Sequence, residues 1–185
     1  MQAIETKLKG CFILEPTIFE DDRGYFFESY NEEKLKGILG YKPIFVQDNQ
    51  SKSSYGVVRG LHMQEGEYSQ AKLVRVIEGA VIDVVVDVRP GSGTYGEFIA
   101  IELTEQNKKQ LFIPRGFLHG FSVVSENAIF FYKCDNGYNK SSEDGINPLD
   151  TELNINWQIP LEKMIISEKD KLAQSFNEFK IKNLI

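Results

Sequence analysis

The sequence contains little histidine and cysteine, and this shortage limits the chemistry it can carry. Among its 185 residues are two histidines, His62 and His119, and two cysteines, Cys11 and Cys134. A protein metal site usually needs three or four side-chain ligands, and no His-X-His pair is present. Metal binding is therefore the weaker reading of the histidines. Two cysteines so far apart indicate no disulfide framework and favour a reducing, cytoplasmic compartment.

The chain also lacks the segments that direct a protein to a membrane or to nucleic acid. Residues 1–10 contain no apolar secretory segment, and no apolar run approaches the length of a membrane span. The net charge is −6, whereas nucleic-acid-binding domains usually carry a basic face. With 42% hydrophobic residues, the chain can bury a core of its own. We therefore expect one globular, cytoplasmic domain spanning residues 1–185, with no nucleic-acid or membrane partner.

Short runs of β-branched and aromatic residues, separated by turn signals, fill the middle of the chain. These residues suit a pleated surface, and glycine or proline lies between the runs. We predict strands at residues 72–77, 81–88, 96–103, 109–114, 120–124 and 128–134. Asn31 and Gly37 are expected to bound a short helix, and Ser167 to cap a C-terminal one. The regular spacing predicts an all-β sandwich or barrel with a few short helices.

The two histidines have similar surroundings, because each follows an Arg-Gly pair by two or three residues. An isolated histidine in a β protein is often a packed polar residue, and this reading stays open. Nearby cations favour a neutral imidazole that works as a general base near neutral pH. These cations are Arg59, Lys72, Arg75 and Arg115.

An anionic ligand is predicted from three cations in separate polar segments, Arg23, Arg59 and Lys72. Guanidinium groups match the oxygens of a phosphate or diphosphate, although a surface salt bridge is the alternative for each cation. Tyr138 lies in a polar turn, where its ring can stack on a flat ligand such as a base. Tyr132 ends an apolar strand, and the residues alone favour a core tyrosine with a hydrogen-bonded hydroxyl at this position.

Seven segments match the pattern of a known family in order. They are DDRGYFFES (21–29), VQDNQSKSSYGVVRGLHMQ (46–64), QAKLVRVIEGAVIDVVVDVR (70–89), GTYGEF (93–98), FIPRGFLHGF (112–121), YKCDNGY (132–138) and ISEKD (166–170). The sequence resembles the dTDP-4-dehydrorhamnose 3,5-epimerases, which are metal-independent cupins. The resemblance implies a cupin double-stranded β-helix, or jelly roll, with no cofactor. It also implies a homodimer in which an N-terminal segment of one chain completes the site of the other.

Individual roles also follow from the resemblance. It implies that His62 is the general base, that Asp170 orients it, that Tyr132 is the acid on the opposite face of the sugar, and that Lys72 lies near the C4 oxygen. Nucleotide-sugar contacts fall at Arg23, Glu28, Gln47, Asn49, Arg59, His119, Glu143 and Lys169, and Tyr138 falls where a ring stacks on thymine. The implied reaction converts dTDP-4-keto-6-deoxy-D-glucose to dTDP-4-keto-L-rhamnose in rhamnose biosynthesis. Both inverted centres, C3 and C5, carry protons α to the C4 ketone, so a base and an acid are sufficient.

Two positions depart from the family pattern. Met63 stands where an aromatic residue usually follows the histidine, and residues 145–150 lack the tryptophan that usually precedes Asp-Pro. Both departures are expected to alter the pocket, with Met63 the first candidate for changed specificity. An epimerase acting only at C3 or only at C5 stays open as an alternative. So do a non-catalytic sugar-nucleotide-binding cupin and a metal-dependent cupin isomerase or dioxygenase.

Overall fold

Strands are the main regular structure in the computed structural model, which describes residues 1–183. The strands are β1 (Gln2–Glu5), β2 (Phe12–Glu15), β3 (Ile18–Asp21), β4 (Gly24–Phe27), β5 (Gln47–Ser54), β6 (Val57–Gln64), β7 (Lys72–Glu78), β8 (Ala80–Asp87), β9 (Phe98–Thr104), β10 (Gln110–Ile113), β11 (Phe117–Val123), β12 (Asn127–Cys134), β13 (Glu143–Gly145) and β14 (Ile165–Ile166). Residues 184 and 185, the end of the predicted domain, lie outside the described part.

Helices are short and few. The α-helices are α1 (Glu32–Leu39), α2 (Glu168–Lys171) and α3 (Phe176–Asn183), and 3-10 turns span Gly66–Tyr68, Lys140–Ser142 and Leu161–Lys163. No helix within residues 1–183 has the length and apolar character needed to cross a bilayer.

The strands form two large sheets and one separate hairpin. The first sheet has the order β1-β2-β10-β7-β12-β5, and the second has the order β13-β6-β11-β8-β9. Strand β14 adds to β6 in parallel, and β3 pairs with β4 as a hairpin of its own. Apart from the consecutive pairs β1–β2 and β8–β9, neighbouring strands in the two large sheets are distant in sequence, so the chain crosses repeatedly between the sheets. This arrangement confirms the predicted all-β jelly roll.

Side-chain alternation divides the core into layers. In β8, Val81 and Val85 join the cluster between the two sheets, whereas Val84 and Val86 join a cluster on the outer face of the second sheet. The C-terminal segment covers that outer cluster, with Trp157 and Phe179 fully buried in it. Helix α1 covers the outer face of the first sheet through Leu35. In the two large sheets, the side chains that point into the space between the sheets are therefore either core residues or the polar groups described below.

All six predicted strands are present, with ends shifted by at most three residues. The largest difference concerns β11, which begins at Phe117 and so includes His119. Helix α1 is capped by Asn31 as predicted, but it continues through Gly37 and ends at Gly40. Gly40 has a φ of 76° and supplies the left-handed turn that the C-cap needs. Ser167 caps α2 as predicted, but that helix is a single turn.

Strand β5 had no clear signal in the sequence. It reads QDNQSKSS, so its outward and inward faces are both polar, and period-2 alternation cannot be seen. Pairing with β12 along its whole length creates the strand, and the inward polar row then faces the space between the sheets. Tertiary pairing has here overridden a weak local preference.

The loop from β8 to β9 is fixed by one buried carboxylate, Asp87. Its oxygens accept hydrogen bonds from the guanidinium and backbone N–H of Arg89 and from the hydroxyls of Ser92 and Thr94. Burial alone would raise the pKa of Asp87, but these hydrogen bonds hold it well below its usual range. The ionised carboxylate therefore stabilises the folded loop.

We predict that Asp87→Asn lowers the free energy of unfolding by about 2–3 kcal/mol at pH 7. Because the pKa of Asp87 is lower in the folded state, its contribution is complete above pH ~4 and is lost as pH falls through the folded pKa. Urea denaturation from pH 7 to pH 3 should therefore show the variant approaching wild type. Asp22→Asn, at an exposed carboxylate, is the control. A deficit that stays constant with pH would contradict the assignment.

Candidate active site

A pocket of about 600 Å³ opens between the two sheets at one end of the sandwich. The first sheet contributes strands β5, β7 and β12, and the second contributes β6 and β11. Strand β14 and helix α2 close one side. Eight residues predicted to belong to the site line the pocket: Asn49, Arg59, His62, Lys72, His119, Tyr132, Lys169 and Asp170.

A β-bulge in β6 brings Arg59 and His62 to the same face. His62 pairs with His119, and Arg59 pairs with Phe121, so β6 has three steps where β11 has two. Residues three apart on a regular strand point to opposite faces, and the extra residue reverses this alternation. Gly60 permits the bulge because its φ is 121° and its backbone lies close to that of Gly120. An added Cβ at Gly60 would lie 2.6 Å from the Cα of Gly120, which leaves no space for a side chain.

His62 and Asp170 form a hydrogen-bonded dyad. The Nε2 atom of His62 lies 2.6 Å from Oδ1 of Asp170. Strand β14 pairs with β6 at Val57 and Val58, and α2 follows at once. Asp170 therefore lies beside His62 although the two residues are 108 positions apart in sequence. The carboxylate is buried, whereas 34% of the His62 side chain is exposed. Burial would raise the pKa of Asp170, but hydrogen bonds from His62 and the Gly60 N–H lower it.

The His62 ring is held on a second edge by β13. Gly145 lies opposite His62 in the strand register, and a Cβ at Gly145 would lie 3.2 Å from Cδ2 of the ring. With Nε2 engaged by Asp170 and Cδ2 covered by Gly145, the Nδ1 atom is the ring nitrogen left for a ligand. Donation of Nε2–H to the carboxylate fixes the tautomer in which Nδ1 accepts a proton.

His119 pairs with a different carboxylate, Asp83, which the sequence reading missed. The Nε2 atom of His119 lies 2.9 Å from Oδ2 of Asp83, and both side chains are buried. Burial lowers the pKa of His119, while Asp83 opposes this effect. Burial also shifts the pKa of Asp83, in this case upward, while the interactions with His119 and Lys72 lower it. The signal available in the sequence was that Asp83 is the one carboxylate within the β-branched run from Val81 to Val86.

The two remaining central groups are Lys72 and Tyr132. Burial lowers the pKa of Lys72, while Cys134, Asp83 and Glu143 act in the opposite direction. Within residues 1–183, the Lys72 ammonium makes no ion pair with a carboxylate. Burial raises the pKa of Tyr132, while the Arg59 charge lowers it. Tyr132 is therefore protonated at neutral pH and can act as an acid.

The rim of the pocket is a chain of polar contacts. The Tyr138 hydroxyl donates to Glu143, and the Lys169 ammonium lies 2.6 Å from the same carboxylate oxygen. Burial would raise the pKa of Glu143, but its hydrogen bonds with Lys169 and Tyr138 lower it. Gln47 joins the rim by accepting from the Tyr138 N–H and donating to Asn49. The Tyr138 ring is 55% exposed, so a flat ligand can reach it.

Two residues predicted to contact the ligand, Arg23 and Glu28, do not line the pocket of their own chain. Arg23 lies at the turn of the β3–β4 hairpin and pairs with Asp21, and Glu28 pairs with Lys34 at 3.1 Å. The expected convergence of three cations therefore holds for Arg59 and Lys72 within one chain, and not for Arg23. The roles of Arg23 and Glu28 stay predictions that need a second copy of the chain.

The residues that mark the two departures from the family pattern, Met63 and Asn147-Pro148, lie outside this pocket. Met63 packs against the cluster on the outer face of the second sheet, because the alternation after the bulge turns it away from His62. Asn147 donates to the Lys171 carbonyl, and the Pro148 carbonyl accepts from the Trp157 indole. None of the three lines the pocket. An effect of the two departures on the pocket or on specificity would therefore be indirect, and it stays a prediction.

Metal ligation has no ready set of side chains in the described part of the chain. No group of three or more His, Cys, Asp or Glu residues within residues 1–183 is placed to hold an ion. His62 and His119, which are backbone partners, direct their Nε2 atoms to separate carboxylates.

Comparison with known proteins identifies the family. Residues 5–178 match the family model of dTDP-4-dehydrorhamnose 3,5-epimerase. The Escherichia coli K12 enzyme of that name is 47% identical, with 96% of each chain covered. The crystal structure of the Elizabethkingia anophelis enzyme is 54% identical, covers 96% of this chain and 97% of its own, and superposes with a TM-score of 0.93. A crystal structure of dTDP-6-deoxy-D-glucose-3,5-epimerase from Legionella pneumophila, in complex with dTDP-4-keto-L-rhamnose, is 44% identical in sequence. The match covers 95% of this chain and 93% of the Legionella chain, with a TM-score of 0.91.

The chain belongs to the dTDP-4-dehydrorhamnose 3,5-epimerase family. It is accordingly an isomerase that acts in rhamnose biosynthesis. The fold also agrees with that of the family's solved structures.

The presence of just two histidines allows a direct test of the second dyad in this epimerase. We predict that Asp83→Asn lowers the pKa of His119 further, because the opposing negative charge is lost. A pH titration of the imidazole signals by NMR measures this, with the His62 signals as the internal comparison. An unchanged or raised His119 pKa in the variant would contradict the pairing.

Proposed function

We propose that the pocket binds a dTDP-linked 4-keto-6-deoxy sugar and inverts both C3 and C5 through the same acid–base pair. The observation that carries this proposal is the placement of His62 and Tyr132. His62 enters from the second sheet and Tyr132 from the first, so a sugar between them meets a base on one face and an acid on the other. Inversion requires a proton to leave one face and return to the opposite one.

His62 is proposed to remove the proton from the carbon next to the ketone through Nδ1. Asp170 keeps Nε2 protonated and stabilises the imidazolium that forms. The electrons of the broken C–H bond move into the ketone and give an enolate. Tyr132 then donates its phenolic proton to the opposite face of that carbon. The first inversion leaves His62 protonated and Tyr132 as a phenolate, so His62 passes its proton to solvent water and Tyr132 takes one from it. The second centre is then inverted in the same way after the sugar turns.

Lys72 is proposed to stabilise the enolate oxygen. Its ammonium lines the pocket without a carboxylate ion pair within residues 1–183, so the charge is available to a ligand. A cation in a water-poor pocket stabilises developing negative charge more strongly than it would in bulk water. His119, held by Asp83, can contribute a further polar contact to the sugar.

The nucleotide is proposed to occupy the rim. Tyr138 offers an exposed ring for thymine, with Gln47, Asn49, Glu143 and Lys169 around it. Residues from Asn49 to Asp170 build one pocket, which supports treatment of the chain as one domain. The buried free thiols of Cys11 and Cys134 support a reducing compartment, the cytoplasm.

A homodimer is proposed from the β3–β4 hairpin. Phe19, Tyr25 and Phe26 on this hairpin are 61%, 57% and 69% exposed, so it presents an apolar surface in the isolated chain. Arg23 lies between them and away from its own pocket. Delivery of Arg23 and Glu28 to the partner's pocket would cover the apolar surface and complete the phosphate contacts.

Incubation in deuterated water tests the chemistry. We predict that the wild-type enzyme introduces deuterium at both C3 and C5 of the 4-keto sugar nucleotide, as measured by NMR. His62→Ala should abolish exchange at both centres. Tyr132→Phe should retain exchange while inversion falls by about 100-fold, because the acid alone is lost. Tyr68→Phe, at an exposed tyrosine outside the pocket, is the control.

The pattern of labelling separates the alternatives. Deuterium at neither centre of the wild-type product would refute the epimerase proposal. Label at one centre would identify an epimerase specific for C3 or for C5. Exchange at the wild-type rate in His62→Ala would refute the assignment of the base.

Subunit mixing tests the shared site. Arg23→Ala alone should lower kcat/KM by about 10-fold or more, through loss of a charged hydrogen bond. When it is mixed with His62→Ala and subunits exchange, heterodimers contain one site with both residues intact. About one quarter of wild-type activity should return. A mixture of His62→Ala with Asp170→Asn, both in the pocket part of the chain, should stay inactive. Failure of the first mixture to regain activity would contradict a site shared between subunits.

A further inference from the structure

Arg59 lines the pocket without a carboxylate to balance its charge. Within residues 1–183 it forms no ion pair, although fifteen of the other Lys, Arg and His side chains do. Its side-chain hydrogen bond runs from Nε to the hydroxyl of Ser53, at 3.1 Å. An exposed guanidinium held by a neutral group keeps its full charge for a ligand.

Ser53 is well placed to hold that side chain. It is 7% exposed and is the most deeply buried member of the inward polar row of β5, which also contains Gln47, Asn49 and Ser51. Ser53 lies opposite Ala128 in β12, and it does not line the pocket itself. Strands β5 and β6 belong to different sheets, so the Arg59–Ser53 bond ties one wall of the pocket to the other.

We infer that Ser53 is a positioning residue that occupies Nε of Arg59 and directs the two terminal guanidinium nitrogens, Nη1 and Nη2, toward the diphosphate of the nucleotide sugar. This inference rests on the proposed function and adds a residue to it. A guanidinium can bind an anion side-on through Nε and Nη2, or end-on through Nη1 and Nη2. With Nε bonded to Ser53, the end-on mode is the one available.

Positioning matters here because an arginine side chain is long. It has many rotamers, and much of that freedom is lost when the ligand binds. The Ser53 bond restricts the side chain in advance, so less freedom is lost on binding. Loss of the hydroxyl should therefore weaken binding of the phosphate groups and leave binding of the nucleoside unchanged.

Calorimetric titration with two probes, dTDP and thymidine, tests this. Ser53→Ala should weaken dTDP binding by about 5- to 20-fold and leave thymidine binding within twofold of wild type. Ser53→Thr, which keeps a hydroxyl, should restore dTDP binding. Ser54→Ala, at the exposed neighbour on the opposite face of β5, should bind both probes normally. In turnover, Ser53→Ala should raise KM and leave kcat within twofold.

A double-mutant cycle shows whether the effect passes through Arg59. In an Arg59→Ala background, Ser53→Ala should weaken dTDP binding by less than twofold. Independent, additive losses would overturn the inference, as would an equal loss for thymidine or normal dTDP binding by Ser53→Ala. A wild-type protein that bound no dTDP would refute the proposed function itself and this inference with it. Normal wild-type binding with an unaffected variant would refute this inference alone.

Discussion

The pocket depends on the single extra residue that β6 inserts opposite β11. A regular strand would place Arg59 on one face and His62 on the other, and the base would then lose its neighbouring cation. The bulge at Gly60 puts both inside, and its N–H donates to Asp170. The same irregularity turns Leu61 and Met63 outward into the apolar cluster that anchors the C-terminal segment. One backbone feature therefore positions the base, its carboxylate and the cation beside it.

Charged groups can be buried in this sandwich because they are buried as a connected set. Asp83, His119 and Lys72 enter from three strands and compensate one another where each alone would be costly. Removal of water also makes the remaining positive charge of Lys72 more effective toward an oxyanion. The cost of burial and the catalytic benefit thus arise from the same low-polarity surroundings, which the apolar layers between and outside the sheets provide.

Sequence reasoning located the strands with β-branched residues, and the four residues it proposed for acid–base chemistry all line the pocket. It could not supply the features set by strand pairing. Strand β5 is polar on both faces, so only its partner β12 shows which residues turn inward. Asp83 resembled an ordinary polar interruption until the alternation of β8 placed it between the sheets. Met63 was expected to alter the pocket as a departure from the family pattern, and the sequence did not show to which side of the sheet it points. On a strand, adjacency places two side chains on opposite faces.

The polar row of β5 explains why the pocket needs a strand with so little β-propensity. Apolar residues at these inward positions would close the space between the sheets, as they do along β8 and β11. Gln47 and Asn49 instead organise the rim, and Ser53 reaches across to Arg59 at the base of the same row. The stability that β5 lacks locally comes from eight paired positions on β12, which also carries Tyr132. Tyr132 and the inward polar row of β5 are thus held in register by the same strand pair, so a shift of one residue would displace both together.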